Sequence, residues 1–190
     1  MINKINIEGL SIKESTQLHN ELKIFKDMNI FLFNKINISE KIYSNGIVEK
    51  LKVFKIYPST LNIEIKKTKF LAVTKKNNIN YFVGSNGKLI KINMTNPDLP
   101  YIFGNVDVNN FLYFKKIVDE SNFEFKTIKS FYYFKSKRWD VVTENGLTFK
   151  MPLNLTVEKL NILNEIINKS EFDDFKIIDF RQNNILVINE

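Results

Sequence analysis

At 190 residues, 44% hydrophobic and 26% charged, the chain has room for one ordinary domain or two small ones and enough apolar material for a normal core, which excludes wholesale disorder. The formal net charge of +7 suits a negatively charged partner, yet the lysines run along the whole chain and their densest groups (Lys66-Lys67-Thr68-Lys69, Lys75-Lys76, Lys135-Ser136-Lys137-Arg138) are short, so the surplus reads first as the Lys-, Asn-, Ile- and Phe-rich composition of an AT-rich coding sequence. With no cysteine, disulfides, thiol nucleophiles and Cys-bound zinc are excluded, and no apolar run approaches the ~18–20 residues of a membrane-spanning helix.

In chain order, Ile5 and Ile7 alternate on a short strand closed by Gly9. From Ser15 the period changes: Leu18, Leu22 and Phe25 predict an amphipathic helix to about Phe25. After a loop through Asn29, Ser39 is expected to cap a short second helix that ends at Asn45-Gly46. Ile47 to Tyr57 reads as a long strand, Pro58-Ser59-Thr60 as a turn, and Leu61, Ile63 and Ile65 as the buried face of the returning strand. The order β-α-α-β-β makes a compact unit in which two helices cover one face of a three-stranded sheet.

The second half begins with short strands at Phe70–Val73, Tyr81–Val83 and Leu89–Ile92, the last two joined by the turn Ser85-Asn86-Gly87. Pro97 and Pro100 mark a loop, and Asp107 caps a helix expected to bury Val108, Phe111, Leu112 and Val118. A β region follows over Phe125–Phe134, Arg138–Thr143 and Leu147–Met151, with Asn145-Gly146 as a hairpin turn. Thr156 caps a last helix with Leu160, Leu163 and Ile167 on one stripe. Lys176–Arg181, a polar break at Gln182-Asn183-Asn184 and Ile185–Ile188 close the chain as two strands. The fold class is α+β, with a second domain built on a mixed, mainly antiparallel sheet with two helices.

The residues that carry chemistry are sparse. His19 is the single histidine, on the first predicted helix, and alone it cannot build a typical metal site. No phosphate loop, dinucleotide fingerprint or nucleophile elbow occurs. Asp173-Asp174 reads as a solvated loop pair, and Asp140 and Glu144 share a face without a partner that would raise either pKa. The sequence therefore argues against an enzyme and calls for no cofactor or metal. The stretch Phe131-Tyr132-Tyr133-Phe134-Lys135-Ser136-Lys137-Arg138-Trp139 has the ingredients of a stacking platform for single-stranded nucleic acid. The simpler reading is a hairpin with an apolar core face and a basic turn.

Leu51-x-Val53-x-Lys55-x-x-Pro58-x-Thr60-Leu61-x-Ile63-x-Ile65, followed by Leu71-Ala72, resembles the end of the POTRA domain of the FtsQ/DivIB family of bacterial division proteins. In the same order, Ile5-x-Ile7-x-Gly9 resembles its opening strand, Tyr81-Phe82-Val83-x-x-x-Gly87-x-x-Ile90 the hairpin after the domain boundary, and Leu99-Pro100-x-x-x-Gly104 its Leu-Pro segment. Arg138-Trp139-Asp140-Val141, Asn145-Gly146-Leu147, Met151-Pro152 and Ile178-Asp179-Phe180-Arg181 complete the resemblance. Departures fall at Lys67-Thr68-Lys69-Phe70, Thr74 and Gly84, where the family often carries Glu-Arg-x-Pro, Trp and Asp.

The resemblance implies a POTRA domain over residues 1–67 and an FtsQ-type β domain over 68–190. It implies a non-enzymatic division scaffold on the periplasmic side of the inner membrane, anchored by one N-terminal helix outside this chain. The expected partners are the FtsB–FtsL pair at the β domain, other division proteins at POTRA, and no nucleic acid. The implied partner edge comprises Asp179, Phe180, Arg181, Ile185 and Val187, with Arg181 set to clamp a carboxylate; a second surface comprises Val53, Lys55 and Tyr57. Other readings left open are a POTRA-bearing part of an outer-membrane assembly or secretion system, and a basic nucleic-acid-binding module.

Overall fold

The structure is a computed structural model and describes residues 1–91, 98–167, 176–182 and 185–189. The chain divides into two compact units, one of Met1–Lys69 with Gly84–Ile90 and one of Phe70–Val83 with Lys91–Glu190.

In the first unit the order is β1 (Lys4–Glu8), α1 (Ile12–Glu21), α2 (Lys35–Tyr43), β2 (Val48–Ile56) and β3 (Thr60–Lys67). The β-α-α-β-β reading of the sequence is the observed order. Helix α1 begins earlier than its hydrophobic period announces, because Ser11 and Glu14 form a reciprocal capping box, and a 3-10 turn over Leu22–Phe25 continues it. Helix α2 also starts before the expected cap. Asn34 caps it, accepting from the Ile36 amide, while the Ser39 hydroxyl lies inside the helix and donates to the Lys35 carbonyl at 2.8 Å. Phe33 and Ile38, both buried, flank that cap at the positions of a hydrophobic staple.

Strand β3 lies between β1, parallel, and β2, antiparallel. Leu61, Ile63 and Ile65 of β3 meet Leu18, Leu22, Ile38 and Ile42 of the helices in one core. Residues Ser85 to Lys88 belong to this unit through a polar clasp. Glu49 accepts from the Ser85 hydroxyl at 2.6 Å and from Lys66 at 2.9 Å, which hold its carboxyl below the ordinary carboxylate range. The Asn86 amide donates to the carbonyls of Gly46 and Val48, and Lys88 reaches the Tyr43 carbonyl.

The following strands are β4 (Phe70–Lys76), β5 (Ile79–Gly84), β6 (Leu89–Lys91) and β7 (Tyr101–Phe103). Helix α3 (Val108–Glu120) leads to β8 (Ile128–Tyr133), β9 (Trp139–Thr143) and β10 (Thr148–Lys150). Helix α4 (Val157–Ile167) leads to β11 (Ile177–Gln182) and β12 (Ile185–Asn189). They form a sheet in the order β12-β11-β10-β9-β8-β7-β4-β5-β6. The fold is thus a mixed α+β one. Its helices join parallel strands of that mixed sheet: α3 connects the neighbours β7 and β8, and α4 connects β10 and β11. A helix-bearing crossover returns the chain in the same direction, which makes the pair parallel.

Strand β7 was read as part of a Pro-containing loop. Three residues carry too little periodicity to announce a strand, yet β7 pairs with β4 on one side and β8 on the other. The stretch before β8 was expected to be strand from Phe125; a 3-10 turn occupies Phe125–Thr127 instead.

Asp107 and Thr156 cap α3 and α4 as expected, accepting from the amides of Asn109 and Lys159. The buried stripe of α3 is Phe111, Phe114, Ile117 and Val118; Val108 and Leu112, assigned to it from sequence, are only half-buried. Leu160 and Leu163 are buried on α4, whereas the Ile167 side chain, Ile92, Pro97, Asp173, Asp174, Asn183 and Asn184 lie outside the described residues. The segment read as a hairpin with a basic turn is one. Phe131 and Trp139 are buried, and the Phe134 amide donates to the Arg138 carbonyl across Lys135–Lys137.

A candidate partner edge at strands β11 and β12

The core-facing row of the sheet runs through the buried Ile102, Phe131, Val141, Phe149 and Ile178 to the half-buried Ile188 across β7 to β12. One residue along each strand the side chains point the other way. That opposite row runs Phe103, Tyr132, Asp140, Lys150, Asp179, Val187. Aromatic at one end, it alternates acid and base in the middle and ends on an exposed valine. Phe103 stacks on Tyr132 at 4.8 Å, and Val187 is 50% exposed.

Two arginines dress the charged centre. Arg138 Nε donates to Asp140 Oδ1 at 3.2 Å. Arg181 grips Asp179 through Nε, 2.8 and 2.9 Å from the two carboxylate oxygens, and through Nη2; its own amide donates to Oδ1 as well. The carboxyls respond in opposite directions. Burial pushes Asp140 up, more than the cations of Arg138, Arg181 and Lys150 pull it down. The Arg181 hydrogen bonds hold Asp179 below the usual carboxylate range. The burial of Asp140 was not legible in sequence, where it was paired with Glu144 as an unperturbed acid; Glu144 is exposed at the end of the hairpin.

The register explains how Arg181 is aimed. Asp179 pairs with Val187, but Gln182 pairs with Ile185, so β11 spends one more residue than β12 over the same interval. This is a β-bulge at Phe180–Arg181, a device that turns a side chain out of the regular alternation. Strand β12 is the terminal strand of the sheet order, and β11 lies one strand inward. Of the five residues expected at the partner edge, Ile185 and Val187 are on the edge strand itself, while Asp179, Phe180 and Arg181 form the row and bulge beside it. The Arg181 fork, expected to wait for a partner carboxylate, is engaged by Asp179 of its own chain.

The three POTRA candidates are spread over different environments. Val53 packs against the core, Lys55 reaches the Phe31 carbonyl at 3.4 Å, and Tyr57 is exposed and stacks on Phe31 with ring centroids 4.9 Å apart. Strand β2, which carries Val53 and Lys55, is an edge of the three-stranded sheet.

Elsewhere, cavities of about 600 and 510 Å³ open beside α3 and the β8–β9 and β9–β10 turns, and neither is lined by Asp140 or Asp179. Among the described residues no three His, Asp or Glu side chains gather as a metal would require, and His19 sits half-buried on α1. No helix among them is long and apolar enough to cross a membrane.

The sign of one pH effect follows from the Asp179 pair. Its folded pKa is below the unfolded value of about 3.9, so the pair contributes stability above that value and loses it as pH falls through the folded one. Asp140 has the opposite sign. The Asp179→Asn variant should therefore show a shallower loss of urea midpoint than the wild type as pH is lowered below about 4. An identical acid limb in the two proteins would remove Asp179 from the linkage.

Comparison with known proteins matches both parts of the chain to family models. The family described as cell division protein FtsQ/DivIB, C-terminal, matches residues 72–181, and the FtsQ-type POTRA domain matches residues 1–67. The cell division protein DivIB of Staphylococcus aureus strain NCTC 8325 is 26% identical over 87 residues, and that of strain MRSA252 is 24% identical over the same length. Each match takes in 46% of this chain and spans only 20% of the relative. A solved structure of the major extracytoplasmic domain of DivIB from Geobacillus stearothermophilus, in its trans isomer, aligns over 56% of this chain and 96% of its own, with 14% identity and a TM-score of 0.39. The family match ends at Arg181, before β12 begins. Two matched domains in tandem, covering most of the chain, place it in one group: the protein belongs to the FtsQ/DivIB family of cell division proteins.

Proposed function

We propose that this protein is a non-enzymatic division scaffold that recruits other division proteins by adding a partner strand to β12. The observation that carries the reading is the position of β12 at the end of the nine-stranded order, where one side of the strand has no neighbouring strand among the described residues. Backbone N–H and C=O groups along such an edge pair with an extended segment, and the side chains beside it select which one. Here the selecting groups are Val187, the Asp179–Arg181 pair and the bulge at Phe180. Because Asp179 neutralises Arg181, a partner carboxylate would share the guanidinium rather than meet a lone cation, so the edge contributes affinity and the arginine contributes register.

By family resemblance the partner at this edge is the extracytoplasmic part of the FtsB–FtsL pair, while the POTRA unit, with Val53, Lys55 and Tyr57, serves other division proteins. The domains are taken as residues 1–67 and 68–190. The protein works on the periplasmic side of the inner membrane, held by a helix N-terminal to this segment.

Calorimetric titration with the FtsB–FtsL segment of the same genome tests the edge. Arg181→Glu sets a second acid against Asp179 and is expected to weaken binding by at least about tenfold. Val187→Lys, which puts a cation on the edge strand directly across from Asp179, is expected to do the same with an unchanged circular dichroism spectrum. Full binding by both variants would move the interface away from β12, and no binding by the wild type would remove this partner.

A further inference from the structure

The first unit exposes far more apolar surface at one end than scattered surface residues account for. Between α1 and α2, Met28, Phe31 and Leu32 are 44%, 70% and 84% exposed; on the β2–β3 turn, Ile56 and Tyr57 are 50% and 56% exposed. Hydrogen bonds tie these segments into one end of the unit. The Ile2 amide donates to the Met28 carbonyl, the Asp27 amide to the Ile2 carbonyl, and the Asn3 and Lys4 amides to the Ser59 carbonyl. The Phe31–Tyr57 stack and the Lys55 bond to the Phe31 carbonyl join the α1–α2 loop directly to the turn.

Charge at this end is one-sided. The three segments 1–4, 23–36 and 55–59 contain Lys4, Lys23, Lys26, Lys35 and Lys55 against the single acid Asp27, five positive less one negative, in a chain whose net charge is +7; Lys52 lies further up β2, across from Glu64. Two loop tips that present Phe, Leu, Ile and Tyr amid lysines have the chemistry of an interfacial anchor. The apolar groups enter the boundary between headgroups and acyl chains, and the lysines bury their stems while their ammonium groups meet phosphates. A protein partner would equally cover the apolar side chains. The excess of four positive charges within the same segments favours an anionic surface, to which each nearby lysine adds attraction.

We propose that the end of the first unit formed by the α1–α2 loop and the β2–β3 turn docks on an anionic lipid surface. This goes beyond the division-scaffold reading and does not depend on β12; it gives Lys55 and Tyr57 a lipid contact in place of the protein contact proposed for them above. The Phe31–Leu32 tip inserts, Tyr57 supports it from the side, and the surrounding lysines set the preference for negative headgroups.

The test is co-sedimentation of the full 190-residue chain with vesicles of phosphatidylcholine alone or mixed with phosphatidylglycerol, without any protein partner. Binding to the mixed vesicles is expected, with little to the neutral ones and a decline as salt is raised. The double variant Phe31→Ser, Leu32→Ser is expected to weaken it on the order of tenfold, with its circular dichroism spectrum retained because both side chains are exposed. Tyr113→Ser, at a 67% exposed aromatic on α3, should leave it within about twofold. Absence of wild-type binding, equal binding to neutral vesicles, or equal binding by the double variant would each overturn the proposal. Failure here would leave the β12 titration untouched, so the two readings fall separately.

Discussion

Truncating Phe131 to alanine is expected to destabilise the second unit by about 3–5 kcal/mol, a large part of the ~5–15 kcal/mol that holds a domain of this kind together. Phe131 is fully buried at the crossing of β8 with the helical layer. Its ring lies 5.5 Å from Phe111, 5.7 Å from Phe114, 5.6 Å from Phe125 and 6.1 Å from Trp139. No single neighbour can move into the vacated space without leaving another contact, so the cavity persists and adds to the lost transfer energy. Urea unfolding should show a lower midpoint at an unchanged slope. Phe103→Ala, on the opposite row and 43% exposed, should cost about 1 kcal/mol or less. Equal losses for the two would mean that the aromatic cluster is not the core it is described as.

Gly9→Ala is expected to cost about 3 kcal/mol or more, whereas Gly146→Ala should cost about 1–2 kcal/mol, although both glycines have the same kind of backbone. Their φ angles are +91° and +88°. A Cβ on Gly9 would fall 1.8 Å from the carbonyl oxygen of Ile65, backbone that belongs to the central strand of the first sheet and cannot swing aside as a side chain would. A Cβ on Gly146 would meet nothing within 4 Å, so only the dihedral penalty remains. Thermal unfolding of the two variants side by side checks this, and a Gly9 variant as stable as the Gly146 variant would show that β1 and β3 separate at little expense.

Part of this was legible in the residues and part was not. The first unit announced itself because its signals are local: the alternation of Leu61, Ile63 and Ile65, the period of Leu18, Leu22 and Phe25, and a turn between two long strands. Errors there concern where helices begin. Hydrophobic period marks the buried face, but a helix starts where a side chain can serve its free amides, and Ser11 and Asn34 do so before the apolar residues show their spacing. Ser39 has the chemistry of a cap, yet by that point the amides ahead of it are already bonded within the helix.

The candidate edge illustrates a different limit. Asp179, Phe180 and Arg181 entered through family resemblance, and nothing in the local pattern distinguishes a strand one place inside the sheet from one at its end. The bulge opposite Leu186 depends on how two strands separated by a polar break count against each other. The burial of Asp140 depends on Arg138 and on what lies across β10, neither of which alternation reveals.

By itself the sequence determined the α+β class, the β-α-α-β-β unit, the caps at Asp107 and Thr156, the hairpin between Phe131 and Trp139, and the family. These rest on interactions within a few residues, or on the order of motifs along the chain. Tertiary structure alone decided that β7 belongs inside the sheet, that α3 and α4 join parallel strands, that Arg181 is gripped by Asp179, and that β12 ends the order. The sheet order depends on pairings between segments far apart in the chain, whose free energy appears only when the partners meet; the Asp179–Arg181 contact spans two residues, but it sits at the bulge where β11 pairs with β12, which alternation does not reveal.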